Sequence, residues 1–157
     1  MSSGQHEAVR QLFDAVYPGL AAWCSALTAD RSGGEDIAQE AFVRLLGRWS
    51  SVNEPRPFLY AVAANLINDR WRYQQRRASL LRLLSVTNQE SVPGPDTSVR
   101  DLIRRLPERQ RLAVLLHYYG GLSLVEVAAE LNKPEGTVRR WLAEGRATLR
   151  AQLEDAR

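Results

Sequence analysis

Between Leu106 and Leu153 the apolar residues recur three times at a spacing that only a helix can bury, with a stop after each of the first two runs. Leu112, Leu115, Leu116 and Tyr119 fall at i, i+3, i+4 and i+7, one stripe of a helix that Pro107 can open. Gly120-Gly121 ends it. Ser123 then offers a cap, and Glu126 three residues later closes a capping box. The second stripe is Leu124, Val127, Ala128 and Leu131, and Asn132 can take the left-handed turn that terminates it. Pro134 breaks the chain, and a third helix begins at Glu135 with Val138, Leu142, Gly145, Leu149 and Leu153 in line. This spacing turns Thr137, Arg139, Arg140 and Trp141 outward near its start. A short helix, a tight turn and a basic helix make a helix-turn-helix, whose second helix fits the DNA major groove. Spacing alone also allows a plain helical hairpin with solvated arginines.

The rest of the composition narrows the class. A chain of 157 residues suits one or two small domains. The net charge of +3 suits nucleic acid without demanding it. No apolar run approaches the ~18 residues of a membrane span. The N-terminal MSSGQHEAVRQ lacks the basic-then-apolar pattern of an export signal, so a cytoplasmic, membrane-free protein is expected. The single Cys24 has no internal disulfide partner and sits among alanines and leucines, as a core thiol would. Catalysis finds little support. His6 and His117 are far apart, and no HExxH, P-loop or GxSxG motif occurs. Glu35, Asp36 and Glu40 lack a second cluster to complete a metal site. No enzyme activity, cofactor or metal is expected.

Ahead of the helix-turn-helix the chain reads as helices throughout. Val9, Leu12, Phe13, Val16 and Leu20, continued by Trp23 and Leu27, predict a helix over 7–29 that Pro18-Gly19 should kink or split. Residues 30–34 read as a loop. Ile37, Ala38, Ala41, Phe42, Leu45, Leu46 and Trp49 then form a buried stripe, opposite Asp36, Gln39, Glu40 and Arg44. Acidic residues in a first turn also favour the helix dipole. The two prolines of residues 50–57 bias them to irregular backbone.

From Phe58 to Arg77 a further helix turns Leu59, Val62, Ala63, Leu66 and Ile67 inward. Asn65, Asn68, Asp69, Arg72 and Arg76 share another face. Tyr60, Trp71 and Tyr73 interleave with Arg70, Arg72, Arg76 and Arg77. Rings among arginines can stack on exposed bases while the cations hold phosphates, or the rings can simply be core, Trp71 above all. Leu80, Leu81, Leu83 and Leu84 extend the helix briefly before a linker rich in Pro, Gly and Ser. Val99, Leu102, Ile103 and Leu106 restart the pattern.

Specific runs of residues go further than periodicity. Leu106-Pro107-Glu108-Arg109-Gln110-Arg111, Gly121-Leu122-Ser123, Glu126-Val127-Ala128 and Glu135-Gly136-Thr137-Val138-Arg139 resemble the C-terminal DNA-binding region of sigma-70-type factors, in the small extracytoplasmic-function form. Asp36-Ile37-Ala38-Gln39-Glu40-Ala41-Phe42 resembles the family helix that docks on the coiled coil of the polymerase β′ subunit. Ala64-Asn65-Leu66-Ile67-Asn68-Asp69-Arg70-Trp71-Arg72 is similar to the family's −10 recognition helix.

The resemblance implies an all-α chain of two small helical domains. These are a region 2 domain over 1–78, a flexible linker over 79–98, and a region 4 helix-turn-helix domain over 99–157. It implies a transcription initiation factor whose partners are core RNA polymerase, through its β and β′ subunits, and promoter DNA. An anti-sigma factor is a further candidate partner. Core polymerase would meet Asp36, Gln39, Glu40 and Arg44. The −10 element would meet Val52, Asn53, Glu54 and Arg56 in a base-capturing loop, then Asn65, Asn68, Asp69, Arg70, Arg72, Arg76 and Arg77. The −35 element would meet Arg109, Glu135, Thr137, Arg139, Arg140 and Trp141. Two positions depart from the family pattern. Pro134 replaces the usual Ser N-cap, a loss of about 1 kcal/mol, and Trp141 and Glu144 stand where many relatives carry Arg. A stand-alone helix-turn-helix regulator is the alternative, and the acidic Asp36–Glu40 face is the feature it would not need.

Overall fold

The computed structural model describes residues 2–84 and 98–155. Seven α-helices account for nearly all of them: α1 (Ser3–Thr28), α2 (Arg31–Gly47), α3 (Pro55–Leu84), α4 (Val99–Arg104), α5 (Glu108–Val114), α6 (Leu124–Leu131) and α7 (Glu135–Asp155). Backbone contacts divide the chain into two compact units, 1–67 and 68–157, so that α3 contributes to both. The expected linker falls largely on 85–97, outside the described residues.

The first unit is built on α1 against α2. Helix α1 opens earlier than periodicity suggests. The Ser2 hydroxyl accepts from the Gln5 amide while the Gln5 side chain accepts from the Ser2 amide, a capping box ahead of any apolar residue. Pro18 lies inside α1, and the helix is not split there. Ala29 takes a left-handed conformation, φ 53°, to end it. The expected loop over 30–34 is instead the start of α2. Gly33 and Gly34 are both helical, and at Gly34 the crossing demands glycine: a Cβ there would stand 2.5 Å from the Ser25 Cα and 2.6 Å from its Oγ. The glycine is there for close backbone approach rather than for a turn. Leu20, Cys24, Ala38, Ala41, Leu45, Leu59, Ala63 and Ile67 are fully buried. Phe13 stacks on Tyr17 at 4.5 Å and meets the edge of Phe42 at 5.1 Å. Burial pushes the Cys24 thiol up to about 12, which makes it a core group.

A short 3-10 turn, Trp49–Ser51, connects to α3, which begins at Pro55 rather than at Phe58. Prolines at the first and third helical positions delete amide groups that have no intrahelical acceptor, so the run that reads as irregular opens the helix.

In the second unit, Ser98 caps α4 through the Asp101 amide. Helix α5 starts on Pro107 and runs into a π-helical turn, Leu115–Tyr119. The wider turn shifts the register. Ala113, Val114, Leu115 and Leu116 are all buried, whereas Leu112 is only half-buried and Tyr119 is exposed, contrary to the simple stripe. The Gly120-Gly121 stop, the Ser123–Glu126 capping box and the left-handed Asn132 are present as expected. Helix α7 has no side-chain cap in the described contacts; the Pro134 carbonyl accepts from Thr137 and Val138 at 3.1 and 3.2 Å. Gly145 lets α7 close on α5, since a Cβ there would stand 3.1 Å from Val114. Val138, Leu142 and Gly145 are buried as the stripe requires, while Leu149 is half-buried and Leu153 exposed.

Candidate polymerase and promoter interface

On α2, Asp36, Gln39, Glu40 and Arg44 are all exposed. Positions three and four apart share a helix face, so these four form one polar strip. Arg44 Nε donates to Glu40 at 3.0 Å, which steadies both side chains without burying either. Val43 lies in the same strip and is 60% exposed, and Leu46, expected inside, is 40% exposed. The strip therefore carries an apolar centre that the polar reading of this face missed. Its signal was present: Val43 has no place in the buried stripe of α2.

Across the turn ahead of α3, Asn53, Glu54 and Arg56 are exposed and Val52 is half-buried. The Arg56 guanidinium lies over the Tyr60 ring, 4.7 Å from its centre, and that ring meets Trp23 edge-on at 5.1 Å. Tyr60 is thus core with a cation on its outer rim.

The expected −10 residues of α3 fall into two groups. Asn65, Asp69, Arg76 and Arg77 are exposed; Asn65 donates to the Ala61 carbonyl at 2.9 Å. Arg70 and Arg72 are half-buried. Asn68 contradicts its expected place on an open face, being only 1% exposed. Its Nδ2 donates to Glu108 at 3.0 Å, and its Oδ1 accepts from Arg111 Nε at 2.7 Å. Arg72 pairs with the same Glu108 carboxylate. Arg111, 3% exposed, also donates to the Arg104 carbonyl at 2.7 Å and lies 5.7 Å from the centre of the Trp71 ring. Burial, then the nearby Arg72 charge, lowers the Arg111 guanidinium below its ordinary value. Trp71 is core, and Tyr73, 64% exposed, is the ring of the three that faces outward.

At the helix-turn-helix, Glu135, Arg139 and Arg140 are exposed on the first turns of α7, Thr137 is half-buried beside them, and Arg109 is exposed on α5. Trp141 is a correction. It is 8% exposed and packs with Val138 and Leu142 in the core of the second unit rather than facing outward. Six residues after Glu135, it comes round on the buried side, and a tryptophan there has far more apolar area to bury than to offer a groove. Glu144 accepts from Gln110 at 3.0 Å and lies 3.7 Å from Arg140, so it ties α7 to α5.

Comparison with known proteins identifies the family. The sigma-70 region 2 model matches residues 12–77, and the sigma-70 region 4 model matches residues 96–149. The extracytoplasmic-function sigma factor SigW of Bacillus subtilis is 31% identical, over 99% of this chain and 94% of its own length. SigL of Mycobacterium tuberculosis is 26% identical, over 94% of this chain and 89% of its own. Among solved structures, the sigma factor RpoE of Bartonella quintana, in complex with the anti-sigma factor NepR, superposes with a TM-score of 0.66 at 20% identity, covering 94% of this chain and 98% of that one. CnrH, in complex with the cytosolic domain of CnrY, superposes at 0.69 and 22% identity, covering 98% and 92%. At those identities the structural likeness is one of fold. The chain belongs to the sigma-70 family of RNA polymerase sigma factors, in its extracytoplasmic-function group. Its function is promoter-specific transcription initiation with RNA polymerase.

Proposed function

We propose that the chain divides this task among three faces. Asp36, Gln39, Glu40 and Arg44, around Val43, hold core polymerase. Val52, Asn53, Glu54 and Arg56, with Asn65, Asp69, Arg70, Arg72, Arg76 and Arg77, capture the −10 strand. Glu135, Thr137, Arg139 and Arg140, with Arg109, read the −35 element. The observation that carries this is the exposure of all four expected polymerase contacts on one strip of α2, with an apolar residue at its centre. Charged rims around small apolar patches are what specific protein interfaces use. Trp141 leaves the DNA-contacting set and becomes a support for the reading helix.

The working division is 1–78 for polymerase and −10 contacts, 79–98 as linker and 99–157 for the −35 element. Sigma factors act as non-catalytic initiation factors, and this chain works without reaction chemistry of its own, in the cytoplasm where polymerase is. Among the described residues no helix is long and apolar enough to cross a membrane. RpoE was solved with the anti-sigma factor NepR, which supports a partner of that kind here.

Run-off transcription from a genomic fragment pool, with purified core polymerase and this chain, tests the assignment. Transcripts should start downstream of a shared pair of motifs at fixed spacing. Arg139→Ala/Arg140→Ala should lose dependence on the upstream motif alone; uniform loss at both motifs would contradict the −35 assignment.

A further inference from the structure

The contacts around Asn68 in the second unit do more than hold helices together. Both ends of its carboxamide are engaged: Nδ2 on the Glu108 carboxylate at 3.0 Å and Oδ1 on the Arg111 guanidinium at 2.7 Å. At 1% exposure no base edge can reach it. Arg72, one turn on, places its guanidinium on the same carboxylate. A carboxylate bound by an amide donor and a guanidinium presents the charge and acceptor geometry that a nucleotide phosphate would present to the same two side chains.

The cluster is suited to opening. Glu108 and Arg72 are 47% and 39% exposed at their side chains, and ion pairs so open to water contribute little. Arg111 by contrast is buried, with its charge compensated only by carbonyl and amide oxygens and by the Trp71 face in the described contacts. Closure at Glu108 itself therefore rests on one water-exposed ion pair and one amide hydrogen bond, a small margin over an open arrangement.

We propose that Glu108 is an internal substitute for the −10 strand: in the free factor it occupies Asn68 and Arg72, and closure and single-strand binding exclude each other. The proposal rests on the reading of α3 as the −10 recognition helix. When DNA phosphates replace Glu108, Asn68 is released to a base and Arg111 keeps the Arg104 carbonyl and the Trp71 face. A factor not yet on polymerase is thereby kept from promoter-like single strands elsewhere.

The test measures binding of a fluorescent non-template strand, spanning the −10 element of a promoter found by run-off transcription, to the full-length free chain. Glu108→Ala should bind about tenfold more tightly than wild type, as expected if the open form is about a tenth of the wild-type population. Glu108→Gln, which preserves shape and removes the charge, should gain part of this. Glu154→Ala makes the same change in net charge at the far end of α7 and should gain nothing. Hydrogen exchange over 68–77 in the DNA-free chain should be faster in Glu108→Ala. Equal affinities for wild type and Glu108→Ala overturn the proposal, as does an equal gain in Glu154→Ala. If polymerase-bound factor also fails on the same strand, the reading of α3 fails and the proposal with it. If polymerase-bound factor binds while wild type and Glu108→Ala stay equal when free, only the substitution by Glu108 is overturned.

Discussion

Helices α2 and α7 are both amphipathic, and both were expected to present their functional residues on the face opposite an apolar stripe. On α2 all four do. On α7 Arg139 and Arg140 do, while Trp141 turns into the core. The difference lies in how many neighbours each helix has. Helix α2 packs chiefly on α1, so one stripe is covered and the rest stays in water. Helix α7 packs on α4, α5 and α6, and a helix held from several sides buries a wider arc than three or four residues in line. A periodic stripe identifies the centre of the buried face; its width depends on the tertiary neighbours.

Four measurements sharpen or break that contrast, from the largest expected effect to the smallest. Trp141→Ala should cost about 3–5 kcal/mol in urea unfolding, the usual loss for a buried tryptophan, and Trp141→Phe should recover much of it. Unchanged stability with lost promoter binding would return Trp141 to the DNA face and break the contrast. Gly34→Ala should cost about 1–3 kcal/mol, because the methyl group would press on the Ser25 backbone. Gly47→Ala, with no atom within 4 Å of the added carbon, should be close to neutral. If the two behave alike, the α1–α2 crossing is looser than described.

Ser123→Ala removes the α6 capping box and should cost about 1 kcal/mol, read as a fall in Tm. The smallest effect concerns Asp101. Burial raises its carboxyl, but hydrogen bonds from Arg100 and Ser98 and the charges of Arg100 and Arg104 outweigh that, leaving its pKa below the ordinary value. A lowered folded-state pKa gives stability that is present above the ordinary carboxylate range and lost as pH falls through the lowered value. Asp101→Asn should therefore lower stability slightly at neutral pH and flatten its decline in acid. An unchanged acid limb would remove Asp101 from that balance.

Much of the second unit was legible from residues alone, because its punctuation is local. The Ser123–Glu126 box, the Gly120-Gly121 stop, the left-handed Asn132 and the break at Pro134 each act within four residues of chain. What escaped was set at a distance. Gly33-Gly34 has the composition of a loop yet is helical, and Gly34 is required not by a turn but by Ser25 lying against it. Tyr119 leaves the apolar stripe because a π-turn fits an extra residue into the turn, which no 3.6-residue count contains. Asn68 finds Glu108 and Arg111 forty and more positions away, a contact that helix periodicity does not encode. The exposure of the four polar residues of the α2 strip was legible, and Val43 could have been found as the apolar residue that its buried stripe leaves out.

The central claim is that the α2 strip holds RNA polymerase. It is tested most directly by retention of core polymerase on immobilised protein, wild type beside Asp36→Lys/Glu40→Lys. Both side chains are exposed, so the double variant should match wild type in circular dichroism and Tm. The account predicts retention by wild type and loss, by at least about tenfold, in the variant, as expected when charge reversal meets a complementary surface. Equal retention by the two folded proteins would contradict it.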